Sequence, residues 1–125
     1  HIAPKGDSHG ISDSNPEATF TYLAEQLGKR KIAFLFSREQ QGEANLGQKL
    51  KKAFGGVYVA NEKLSQETAE ALLEKGFADA VSFGLNFISN PDLVKRFKEG
   101  SKLNEVNFGT LYADGETGYT DYPGL

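Results

Sequence analysis

Residues 78–93, Ala-Asp-Ala-Val-Ser-Phe-Gly-Leu-Asn-Phe-Ile-Ser-Asn-Pro-Asp-Leu, bring together the pieces from which an anion site is built. An apolar strand runs out at Gly84, after which Asn90 and Pro91 are placed to open a helix. The asparagine amide oxygen would accept from the first-turn N–H groups, and the proline would sit where a missing N–H costs nothing. Free N–H groups converge at such a junction, and glycine lets a phosphate approach the backbone closely. A plain structural turn has the same pattern, so the junction alone leaves both readings open. Other chemistry is thinly supplied. There are two histidines, His1 and His9, both near the start, and no cysteine. No close carboxylate pair is flanked by apolar sequence. Neither a nucleophile with its base nor a thiolate metal site emerges, and no catalytic or metal-binding residue is assigned.

The elements that must position this junction read as repeated strand–helix units. His1-Ile2-Ala3-Pro4 is the end of a strand, stopped by a proline that removes a ladder donor. A polar loop covers residues 5–13, with His9 as a solvated loop residue. Ser14 and Glu17 have capping-box spacing, and Phe20, Leu23, Ala24 and Leu27 then mark one buried helix face, with Gly28 as a left-handed stop. Residues 32–36, Ile-Ala-Phe-Leu-Phe, are a continuous apolar run expected of a strand covered on both faces of a parallel sheet. A polar loop follows over 37–48, and Leu46, Leu50, Ala53 and Phe54 suggest a helix leading to Gly55 and Gly56.

Residues 57–60 are the next strand, ending at Asn61. Ser65 caps a helix whose inner face is Ala69, Leu72 and Leu73, closed by Gly76 with Phe77 folding back. Residues 78–83 are the following strand, 91–97 a helix, and 101–125 an irregular tail rich in Tyr, Gly and Asp. The order β-α-β-α-β-α-β-α argues for an α/β fold with a parallel sheet. Right-handed crossovers fit a doubly wound open sheet or a sector of a barrel, and periodicity does not separate them.

The chain has 125 residues, a net charge of −3 and a pI near 5.4, so no basic face recommends nucleic acid or an anionic membrane surface. No apolar run approaches the roughly 20 residues that span a bilayer, and there is no signal-peptide pattern, so a soluble, cytoplasmic protein is expected. Methionine is absent, position 1 included, as expected of a processed, cut or incompletely represented segment.

Ala-Asp-Ala-Val-Ser-Phe-Gly at 78–84, Phe-Ile-Ser-Asn-Pro-Asp-Leu-Val-Lys-Arg-Phe at 87–97 and Gly-Tyr-Thr-Asp-Tyr-Pro at 118–123 together resemble the C-terminal part of the Old Yellow Enzyme family. The resemblance covers nearly the whole chain. It implies the C-terminal sector of a (β/α)8 TIM barrel, roughly strands five to eight, in a single flavin oxidoreductase domain. A complete barrel of this kind needs roughly 250 residues. The remaining N-terminal part of the barrel is therefore the implied partner, in the same or a separate chain. Family members bind FMN and use NAD(P)H to reduce the C=C bond of a small activated alkene. Their carbonyl-binding His/Asn or His/His pair and proton-donating tyrosine come from earlier strands, and nothing here matches them.

By the same resemblance, the backbone N–H groups of Asn61, Gly84 and Leu85 would hold the flavin phosphate, and His1 and Tyr119 would face the flavin ring and the substrate side. Two positions depart from the family pattern. Leu85 stands where the family has an arginine on the phosphate, and cofactor affinity should suffer unless Lys63, Lys95 or a residue outside this segment substitutes for it. His1 stands where the family has an arginine at the flavin's pyrimidine edge, and imidazole is mostly neutral at pH 7. The same departures suit an alternative, a non-catalytic phosphate-ligand module or inactive barrel fragment. Tyr122 and Pro123 read as structural, Arg38 and Glu39 as an exposed ion pair, and Lys49, Lys51 and Lys52 as one wet helix face.

Overall fold

A computed structural model describes residues 1–5 and 12–125, so His9 and most of the loop expected over 5–13 lie outside the described residues. The chain forms two compact units, His1–Ser82 and Phe83–Leu125.

The first unit is built on a parallel sheet of β1 (Phe34–Arg38), β2 (Val57–Asn61) and β3 (Ala80–Val81) in that order. Ile2 adds a further parallel bridge at Ser37, its N–H donating to Phe36 O at 2.8 Å and its carbonyl accepting from Arg38 N–H at 2.9 Å. The strand end expected at residues 1–4 is thus present, beside β1. Alternation decides what is buried. Leu35, Tyr58 and Ala60 turn toward α1 (Pro16–Lys29) and α2 (Gly47–Phe54) and join Ala24, Leu50 and Phe54 in one apolar core. The other face is not covered as the apolar runs suggest: Phe34 is 53% exposed and Val57 47%.

Three local expectations are corrected. The cap of α1 is Asn15, whose side chain accepts from Ala18 N–H, not Ser14, because Pro16 takes the first helical position. Gly28 does not stop α1, which continues to Lys29. It lies where a Cβ would stand 2.2 Å from Phe54 O, so it is the point at which the end of α2 crosses α1. Leu73, expected on the inner face of α3 (Gln66–Glu74), is 40% exposed. The remaining signals of α3 hold: Ser65 and Thr68 form a capping box. The Gly76 and Phe77 N–H groups donate to Leu73 O and Leu72 O in a Schellman stop.

In the second unit a helix begins at once after Gly84. α4 (Leu85–Ser89) is followed by α5 (Leu93–Glu99). Asn90 therefore ends α4 instead of opening a helix, and Pro91 lies between the two. The Asn90 side chain is fully buried, donating to Asn86 O at 2.9 Å and accepting from Asn104 N–H at 2.7 Å. Its amide is occupied by the tail, which is why it does not cap. Arg96, 4% exposed, donates to Asp92, Lys102 O and Pro123 O and ties the irregular residues 101–125 to α5. Tyr122 OH accepts from Asn107 N–H, in keeping with the structural reading of Tyr122 and Pro123.

Candidate functional site

The C-terminal strand ends of the first unit carry its polar residues. Asn61 closes β2 and donates from its side-chain amide to Ser82 O at 2.8 Å, tying the ends of β2 and the following strand segment. The chain then turns through two left-handed residues, Glu62 at φ 101° and Lys63 at φ 50°. Non-glycine residues hold such angles at a cost of order 1–3 kcal/mol, and they cluster where a backbone is shaped for a task. Arg38 does not pair with Glu39 as expected. Its guanidinium bonds the Glu62 carboxylate, because strand alternation sends neighbouring side chains to opposite faces.

Glu39 is instead 2% exposed, both carboxylate oxygens accepting from Leu46 N–H at 3.0 Å, which caps a helix that lacks a capping side chain of its own. Burial pushes its pKa up, against the opposing pull of that N–H and of Lys5. Of the three lysines expected on one wet face of α2, two are paired, Lys49 with Glu17 at 2.6 Å and Lys51 with Asp79 at 2.8 Å, while Lys52 is exposed as expected. The His1 ring meets Phe36 edge-on at 4.8 Å, at the open face of the sheet.

In the second unit Gly84 is the N-cap of α4, and its carbonyl accepts from Phe87 and Ile88 N–H. Among the described residues the Gly84 and Leu85 N–H groups have no acceptor. No heavy atom lies within 4 Å of where a Gly84 Cβ would be. The turn from strand through glycine into a helix is present, one helix earlier than the asparagine and proline suggest, and it leaves two free donors beside open space. Leu85 is 40% exposed and brings no charge. Lys63 donates to Gln40 at 3.3 Å, and Lys95 is exposed on α5. Tyr119 lies 6.1 Å from Tyr112 and lines a cavity of about 320 Å³ with Phe87, Ile88, Pro91, Thr120 and Tyr122.

The buried roles of Glu39, Asn90 and Arg96 have no signal in the local sequence. Tyr112, at φ 61° and 71% exposed, has none either.

No protein-family model matches the chain. A 12-oxophytodienoate reductase-like protein of Solanum lycopersicum is 39% identical over 118 residues, 93% of this chain and 33% of that protein. A protein of Leishmania infantum named as a probable flavin mononucleotide-dependent alkene reductase is 36% identical over 128 residues, 98% of this chain and 34% of that protein. The solved Old Yellow Enzyme homologue of Zymomonas mobilis superposes with a TM-score of 0.92 at 40% identity, over 98% of this chain and 37% of that one. The chain is a relative of the Old Yellow Enzymes. It spans about a third of the length of the curated relatives it matches. The three parallel strands of this Old Yellow Enzyme-like segment are thereby those of a (β/α)8 barrel sector, which settles the choice between open sheet and barrel. Among the described residues no helix is long and apolar enough to cross a membrane, and no cluster of potential metal ligands is found.

Proposed function

We propose that the segment is the flavin-phosphate end of an FMN-dependent ene-reductase, which reduces activated C=C bonds of small alkenes with NADH or NADPH in the cytoplasm. FMN, when bound, supplies the hydride transfer between nicotinamide and alkene. The observation that carries the reading is the pair of free N–H donors at Gly84 and Leu85 beside open space, in a chain so similar to a flavin-dependent reductase. On this reading Gly84 and Leu85 donate to the phosphate, His1 faces the flavin ring and Tyr119 the substrate side. Asn61 cannot add its backbone N–H, because the parallel ladder turns that group, like its carbonyl, toward β1. None of them is a catalytic acid or base, and residues 1–125 belong to one barrel domain of which 101–125 is the tail. The 125-residue chain alone is then inactive.

The partner is the rest of the barrel. Parallel sheets are covered on both faces, and here Phe34 and Val57 stand exposed on the face turned away from α1 and α2. An absorbance spectrum of the purified chain, before and after addition of FMN and with intact mass on the same sample, tests the proposal. The blue absorbance of bound flavin, with a larger parent or second polypeptide, supports it. The second reading, a non-catalytic phosphate-ligand module, rests on the uncharged Leu85. It gains if FMN binds to neither the chain nor its Leu85→Arg variant.

A further inference from the structure

The opposite ends of the same strands carry a cavity that the flavin reading leaves unused. It measures about 650 Å³ and is lined by the C-terminal ends of α2 and α3 and the starts of β2 and the strand beside it, including Lys51, Lys52, Gly56, Val57, Lys75 and Phe77. Three lysines against the single carboxylate of Asp79 leave its wall with a surplus of two positive charges, although the chain as a whole carries −3.

Lysines at helix C-termini commonly serve only to offset the negative end of the helix dipole, so the acceptors here must be accounted for one by one. Both oxygens of Asp79 are engaged, with Lys51 Nζ on Oδ1 at 2.8 Å and Tyr58 N–H on Oδ2 at 2.8 Å. The Gly76 carbonyl takes the same Lys51 ammonium at 2.9 Å. At the end of α3, Leu72 O already accepts from Phe77 and Ala78 N–H, and Leu73 O from Gly76 N–H. Gly55 N–H is spent on Lys51 O. Carbonyls at both helix ends stay open, and so do donors. Among the described residues, Lys52 and Lys75 have no acidic partner, and Gly56 N–H has no acceptor. Beside them Val57, 47% exposed, and Phe77 offer an apolar surface.

We propose that this cavity binds a small soluble phosphomonoester, with Lys52, Lys75 and Gly56 N–H on the phosphoryl oxygens and Val57 and Phe77 against the carbon body. Lys51 holds the wall together through Asp79 and is not itself a ligand. The site is separate from the proposed flavin phosphate: Val57 and Asn61 are the two ends of β2, about 13 Å apart at strand rise. It does not rest on the flavin reading.

The test is a ¹H–¹⁵N NMR titration of the full chain with inorganic phosphate and then phenyl phosphate, at ionic strength held constant with chloride. Saturable shifts of the Gly55, Gly56 and Gly76 amides are expected, with phenyl phosphate the tighter ligand. Lys52→Gln and Lys75→Gln each weaken binding about three- to tenfold, the scale of an exposed charge-assisted hydrogen bond, with melting temperature unchanged. The proposal is overturned by shifts that do not saturate, that chloride reproduces, or that survive the double substitution. It is overturned equally by shifts centred on Asn61 or Gly84, or by binding to phosphatidate vesicles with none to the soluble esters.

Discussion

Replacing Gly28 by alanine separates two accounts of that glycine. As a left-handed helix stop it would tolerate asparagine better than alanine, since asparagine enters that region more readily. In the structure it is an interior residue of α1 without a positive φ, and the constraint is steric. An alanine Cβ would lie 2.2 Å from Phe54 O and 3.1 Å from Phe54 C, whereas ordinary contact is about 3.5 Å. The neighbour is backbone and cannot rotate aside, so α1 must withdraw from α2 by about 1 Å, opening the contact around Ala24, Leu50 and Phe54. Overpacking of this kind costs about 1–3 kcal/mol, while alanine returns about 0.5–1 kcal/mol of helix stability. A net loss of about 2 kcal/mol follows at the upper end of that range, or about 1 M in urea midpoint for a typical slope. Equilibrium urea unfolding by circular dichroism reads it directly. The steric account requires Gly28→Asn to be at least as damaging as Gly28→Ala. A neutral or stabilised alanine variant, or an asparagine variant better than alanine, refutes it.

Two carboxylates should give pH dependences of opposite sign. The Lys51 ammonium, and then Tyr58 N–H, hold the Asp79 carboxyl below the usual aspartate range. Its contribution is present above the unfolded pKa and lost as pH falls through the folded one, so Asp79→Asn should flatten the acid limb of a urea-midpoint-against-pH curve. An unchanged acid limb would show that the pair with Lys51 does not persist in solution. Burial raises Glu39, so the folded state holds that proton longer than the unfolded chain does, and stability falls as pH rises through the raised folded pKa. In Glu39→Gln that decline should disappear from the same plot, and its persistence would mean that Glu39 is solvated.

The sequence by itself carried the alternation of strands and helices, the strand–glycine–helix junction at Gly84, the Ser65 cap and the Gly76 stop. Each is written in residues only a few positions apart, because period, capping and left-handed stops are local physics. The family resemblance was likewise legible in short runs of residues. Tertiary structure decided what depends on who lies opposite. Gly28 looks like a stop until the carbonyl of Phe54 is seen against it. Asn90 looks like a cap until its amide is found occupied by Asn104. Arg38 and Glu39 look like a pair until the strand turns one to Glu62 and buries the other at the start of α2. In each case a side chain with several acceptable local partners is claimed by one distant in sequence, because a buried polar group must be satisfied and a packed interior leaves room for one arrangement.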